Sequence, residues 1–227
     1  HGLINVILAE PQPATYADAR LSGSTINRYK ADITGNLDSR ARLSLSLQDD
    51  AGWRDNTGVE QQKLSAQYAF DLGGWEGLAF ISGSSLNQET GGFIEGYKAY
   101  RDDDTATSNP NPEAYRDAQW AMGAVRLSRT LGVGELTLTP FYRWQEMEFA
   151  QHFLPNGGIE ENGHDAFGLQ SEYEFSASDD VILRLGADAD LASGWLKETQ
   201  LEPFGFFPGD TRFPVGVHYD YTVDTTV

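Results

Sequence analysis

With 227 residues, no cysteine, and 16 Lys and Arg against 34 Asp and Glu, the chain carries a formal net charge of −18. That balance excludes nucleic acid as a partner, since one polyanion repels another, and the missing cysteines exclude disulfide staples and thiolate metal sites. No run reaches the roughly 18 apolar residues of a membrane-spanning helix, but the negative mean hydropathy leaves a spanning barrel open, because barrel strands are apolar at alternate positions only.

The first eight residues, HGLINVIL, form an apolar run broken by Asn5, read as a strand buried on both sides and ended by Pro11 and Pro13. His1 reads as a cut point within a longer precursor. Alternation begins at Arg28, with Tyr29, Ala31, Ile33, Gly35 and Leu37 on one parity and Arg28, Lys30, Asp32, Thr34 and Asn36 on the other. After a minimal turn at Asp38 and Ser39, the next strand sets Ala41, Leu43, Leu45 and Leu47 against Arg40, Arg42, Ser44 and Ser46. A third places Leu64, Ala66, Tyr68 and Phe70 against Lys63, Ser65 and Gln67.

Residues 76–86 form a fourth strand whose outward face is blurred by Gly77 and Gly83, and residues 119–131 a fifth of ambiguous parity. The sixth reads Leu136, Leu138, Pro140, Tyr142 and Trp144 against Glu135, Thr137, Thr139, Arg143 and Gln145, with Pro140 an unexpected strand residue. The hairpin over residues 167–192 is the clearest element. Phe167, Leu169, Ser171, Tyr173 and Phe175 alternate with Gln170, Glu172 and Glu174, then Val181, Leu183, Leu185, Ala187, Ala189 and Leu191 alternate with Arg184, Asp188 and Asp190. A ninth strand, Val217, Tyr219, Tyr221 and Val223 against His218, Asp220 and Thr222, closes the series.

Short turns at residues 38–39, 71–74, 132–134 and 176–180 alternate with long loops that begin at Asp49, Asn87, Ala150 and Gly194. A soluble sandwich has no reason to sort its connections by end, whereas an outer-membrane barrel has short periplasmic turns and long extracellular loops. Tyr142, Trp144, Tyr219 and Tyr221 fall on the apolar parity near long-loop ends, where a barrel carries an aromatic girdle. The expected fold is all-β: an antiparallel up-and-down transmembrane β-barrel, present as a partial barrel of about nine strands.

The buried run GLINVIL, a proline-broken link and the alternating strands together resemble the plug-to-barrel junction of TonB-dependent outer-membrane receptors. That family's plug ends in a Gly-x-Ile-Asn-[Ile/Val] segment, which Gly2, Ile4, Asn5 and Val6 match; Leu8, Ala9 and Glu10 depart from it. The resemblance implies that residues 1–13 are the end of a plug and its linker, and that residues 14–227 are the N-terminal part of a plugged barrel of about 22 strands, the remainder lying outside this chain. It further implies a location in the bacterial outer membrane, lipid and the TonB energy-transducing complex as partners, and energy-coupled import of a scarce ligand such as a ferric siderophore, cobalamin or an oligosaccharide, with no enzyme activity and no cofactor.

The residues themselves point to binding rather than catalysis. No nucleophile elbow, P-loop or dinucleotide fingerprint occurs. His152 and His164 share an acid-rich stretch with Glu160, Glu161 and Asp165 but match no ligand spacing, and Asp102, Asp103 and Asp104 read as a solvated charge run. The candidate ligand contacts are loop aromatics and cations, which suit planar chelates, catecholates or sugar rings: Trp53, Arg54, Tyr97, Tyr100, Tyr115, Arg116, Phe153, Trp195, Phe204, Phe206, Phe207, Arg212 and Phe213. Two other readings compete, a small porin-like or adhesin barrel and a soluble carbohydrate-binding β-domain. The latter requires the leucines at 43, 45, 138, 183 and 185 to meet in a dry core.

Overall fold

The computed structural model describes residues 9–25, 27–150, 158–202 and 214–227. They form one ten-stranded antiparallel sheet in sequence order: β1 (Tyr16–Gly23), β2 (Arg28–Leu37), β3 (Ala41–Asp50), β4 (Val59–Leu72), β5 (Trp75–Glu89), β6 (Tyr115–Leu131), β7 (Gly134–Ala150), β8 (Ile159–Ser178), β9 (Val181–Gln200) and β10 (Gly216–Thr226). Among the described residues helix is confined to the β5–β6 connection, as a 3₁₀ turn at Ala99–Arg101 and a single-turn α1 at Asp103–Thr107. β1 and β10 do not pair, so the sheet is open.

Ten strands stand where the sequence predicts about nine. The additional one is β1, whose weak alternation of Ala17, Ala19 and Leu21 against Asp18 and Arg20 takes its register from β2, with Ala19 opposite Ile33 and Leu21 opposite Ala31. Several strands also run further toward the long connections than hydropathy indicates. β8 begins at Ile159, and β9 continues to Gln200.

Register assigns every strand to two faces. The apolar face is continuous from β2 to β9 through pairs such as Ile33–Leu45, Leu45–Leu64, Ala66–Ile81, Leu127–Leu138, Pro140–Leu169 and Tyr173–Leu185. The polar face carries Arg28, Lys30, Asp32, Arg42, Lys63, Arg143, Glu172, Glu174, Arg184, Asp188 and Asp190. Neither face covers a core. Among the described residues the buried hydrophobics are Ala114 and Ala166 alone, while Leu43, Leu183 and Leu185 are 51%, 44% and 63% exposed. The leucines do not converge, and the dry-core requirement of a soluble domain is unmet.

Two irregularities resolve what hydropathy left blurred. On β5, Gly77 is roofed by the Phe70 ring of the opposing residue; a Cβ there would sit 2.3 Å from Phe70 Cζ, so a side chain would push the ring aside, and a glycine at this position weakens the parity signal. On β7, Pro140 keeps its place opposite Leu169 of β8, and the β6–β7 ladder lapses beside it, between the Ala124–Phe141 and Leu127–Leu138 pairs. A proline has no N–H to donate, so the gap falls where the ladder would have needed one.

Successive hairpins reach progressively deeper. Ala41, at the foot of β3, pairs with Tyr68, which leaves four residues of β4 beyond it; Gly134, at the foot of β7, pairs with Phe175, three short of the end of β8. A consistent stagger of this sense accompanies strands tilted about a barrel axis. The apolar stretch of one strand, such as Leu136 to Trp144, then stands about 21 Å tall along that axis at ~3.4 Å per residue and ~40° of tilt.

Residues ahead of β1 lie on the polar face. The Asn36 side-chain amide, fully buried, donates to the carbonyls of Gln12 (2.9 Å) and Ala14 (3.4 Å), and Arg126 of β6 pairs with Glu10 at 2.7 Å. The chain thus approaches its first strand across the polar wall. The plug-end residues Gly2, Ile4, Asn5 and Val6 lie outside the described residues.

Candidate functional site

At the long-connection end the hydropathy phase inverts. Along β7, Leu136, Leu138, Tyr142 and Trp144 belong to the apolar face, but the same parity then continues as Glu146 and Glu148, while Met147 and Phe149 fall on the polar face. β5 and β6 follow suit, placing Leu86 and Trp120 on the polar face. The consequence on the apolar face is an acid-rich ladder row, Asp49–Glu60–Asn87–Asp117–Glu148–Glu161, ending at Lys197 and Asp220. Like charges directly opposite each other are destabilising. Burial first and Glu148 second push the Asp117 carboxyl above its ordinary value, and burial then Glu148 do the same to the Tyr115 hydroxyl, which donates to Glu148. Lys197 answers the row: its hydrogen bond to Glu161 (2.8 Å) holds its ammonium above the usual range.

β10 takes part through a bulge. Between Val217 and Tyr219 the register slips, so that Tyr219, Tyr221 and Val223 face Glu198, Leu196 and Gly194 on the polar face, and Asp220 and Thr222 join Lys197 and Trp195 on the apolar one. This corrects the sequence-based placement of Tyr219 and Tyr221 in an outward aromatic girdle. A bulge adds one residue to one strand and thereby exchanges the faces beyond it, which period-two reading along a single strand cannot detect.

The two described long connections dock together. Arg54, a candidate ligand contact, clamps the two connections: its guanidinium donates to Ser108 O (3.0 and 2.7 Å) and to Gly92 O (3.0 Å). Asp55 N to Thr107 O (2.8 Å) and Asn109 Nδ2 to Asn56 O (2.9 Å) complete the junction. Asp102 caps α1 by accepting from Thr105 N (2.9 Å) and Thr105 Oγ1 (2.7 Å), which holds its carboxyl below the ordinary value. The Asp102–Asp104 run is accordingly a helix start, and among the described residues no group of three or more His, Asp and Glu is placed to hold a metal.

Three expected contacts remain free on this docked platform: Trp53, Tyr97 and Tyr100, all exposed, the last two with Lys98 and Arg101 over their rings at 4.9 and 5.8 Å. Tyr115 and Arg116 are strand residues on opposite faces. Arg116 points with the polar wall, its guanidinium 5.8 Å from the Phe149 ring, and the pair shares a niche of about 280 Å³ with Thr90, Gly91, Phe93, Tyr115 and Ala150. Trp195 belongs to the apolar face of β9, its indole against Gly163. His164 is a β8 residue on the polar face. Phe153, Phe204, Phe206, Phe207, Arg212 and Phe213, together with His152, lie outside the described residues. Phe93, Trp120, Met147, Phe149, Tyr219 and Tyr221 were missed as wall or platform residues; for Met147 and Phe149 the phase inversion along β7 is the signal that identifies them.

A staggered open sheet with one apolar face, one polar face and all its long connections at one end is part of the wall of a large β-barrel. The fold is that of the TonB-dependent receptors. The chain is similar to the ferric citrate transporter FecA in its unliganded form (TM-score 0.65, 11% identity, 96% of this chain and 35% of that one) and to the Escherichia coli K12 ferric-catecholate import receptor Fiu in closed form (TM-score 0.54, 10%, 96% and 47%) and open form (TM-score 0.51, 11%, 96% and 51%). It therefore spans about a third to a half of those chains. No family model and no curated protein matches the sequence.

Proposed function

We propose that this chain is the N-terminal part of the barrel wall of an outer-membrane receptor that imports a metal chelate with energy from the TonB complex. The observation that carries the reading is the apolar face: a band about as tall as the roughly 25 Å apolar belt of outer-membrane barrels, with no core behind it. Rings stand at both of its edges, Tyr68, Phe70, Trp75, Tyr173 and Phe175 by the turns and Tyr29, Tyr142, Trp144 and Trp195 by the long connections. In this reading the apolar face meets lipid, and the polar face lines the interior, which residues 9–15 cross ahead of β1; residues 1–13 are the end of the plug and its linker.

The ligand meets the Arg116–Phe149 niche, the Trp53, Tyr97 and Tyr100 platform and the inward Tyr219 and Tyr221, and it passes through chemically unchanged. Flat aromatic faces beside guanidinium groups favour a planar, oxygen-rich chelate, in keeping with the ferric citrate and ferric catecholate receptors that share the fold. Uptake of a labelled ferric chelate by cells that depend on the full-length protein tests this. Transport is expected to stop when a protonophore collapses the proton gradient. Uptake that persists would identify a passive pore instead.

A further inference from the structure

The apolar face has an ionisable group at the turn end that the barrel reading leaves unexplained. Arg129 of β6 stands on that face opposite Leu136. It is exposed, and among the described residues it makes no ion pair. Its guanidinium carbon lies 5.8 Å from the centre of the Trp75 ring at the foot of β5. No acid on these strands shares its face near the turns, since Asp71, Glu76, Glu135 and Glu174 all belong to the polar parity. The hydroxyl of the nearby girdle residue Tyr173 is already committed, donating to Leu131 O at 2.8 Å.

We infer that Arg129, braced by Trp75, binds the phosphate of a phospholipid headgroup in the leaflet on the turn side. The inference rests on the membrane reading above. A guanidinium at the edge of an apolar band has lost part of its water and needs an anion, and its planar fork matches two phosphate oxygens at once. The tryptophan ring beside it favours the guanidinium at the depth where headgroups lie. A lipid is favoured over a free anion because the site opens onto the apolar band, so the acyl chains of a bound phospholipid would run along Leu136 and Leu138 on the same face. At the other end the same face presents the acidic row, which repels phosphate.

The test uses the full-length receptor, released from detergent containing phosphatidylglycerol and weighed by native mass spectrometry. One retained phosphatidylglycerol is expected to be lost in Arg129→Gln and kept, more weakly, in Arg129→Lys. Equal lipid retention in wild type and Arg129→Gln overturns the inference, as does retention of inorganic phosphate at this position in place of the lipid. A nitroxide on Leu185→Cys, with any cysteine outside this stretch replaced by serine, reports separately whether the face meets lipid. A lipid-accessible label with unchanged lipid retention removes the headgroup site alone, and a water-accessible label removes the membrane reading as well.

Discussion

The turn end and the long-connection end of the sheet use the same backbone ladder to opposite effect. Near the turns, leucines and rings hold the apolar face, with Arg129 among them, and acids such as Glu135, Glu172 and Glu174 keep to the polar parity. Near the long connections the phase inverts, acids line up on the formerly apolar face, and Trp120, Met147, Phe149, Tyr219 and Tyr221 turn to the other. A strand's outward side is therefore defined by the medium at each height rather than by one parity along its length. In the proposed membrane setting, the lower zone has hydrocarbon outside and the upper zone has water outside and ligand within.

The largest effect expected from breaking this division comes in the lower zone. In that setting Leu138→Arg should cost the full-length protein about 2–4 kcal/mol, the range for a cation on a lipid face at mid-bilayer, while Thr137→Arg, one residue away on the polar wall, should be nearly neutral. Urea titration of the folded full-length protein in lipid, followed by electrophoretic mobility, compares the two, and equal costs would abolish the distinction between the faces.

Next in size is Gly168→Leu. A Cβ at Gly168 falls 2.3 Å from Phe141 Cζ and 2.7 Å from Ala189 O, so the ring lying across β8 must move, at about 1–3 kcal/mol for overpacking. The neighbouring pair Arg143–Asp190, 2.6 Å apart across the same strand, should lengthen with it, which a crystal structure of the variant would register.

In the upper zone, Arg54→Ala should leave the barrel's melting temperature unchanged but release the β5–β6 connection, because the carbonyls of Gly92 and Ser108 lose their shared donor. The readout is limited proteolysis within residues 90–114, and an unchanged digestion rate would show that the clamp is dispensable.

The smallest effect concerns Asp117, whose folded pKa is raised by burial and then by Glu148. A carboxyl with a raised folded pKa destabilises the fold while charged. That penalty is complete above the folded value and fades as pH falls through it toward the unfolded value of about 3.9. Asp117→Asn should thus stabilise modestly at neutral pH and not at all below about pH 4; a gain that does not vary with pH would rule out the electrostatic cause.

Much of this was written in the chain itself. Leu43, Leu45 and Leu47 or Leu183 and Leu185 can satisfy a two-residue period in only one way, and the sorted turns and long connections fixed the up-and-down order. The candidate site was less legible. That Arg54 clamps the β5–β6 connection depends on carbonyls 38 and 54 residues away, and the turn of Tyr219 and Tyr221 to the polar face depends on one extra residue against β9. Alternation is a local property of a strand and survives in one dimension. Loop docking, bulges and the medium met at each height arise only when distant segments pair, and those the tertiary structure alone decided.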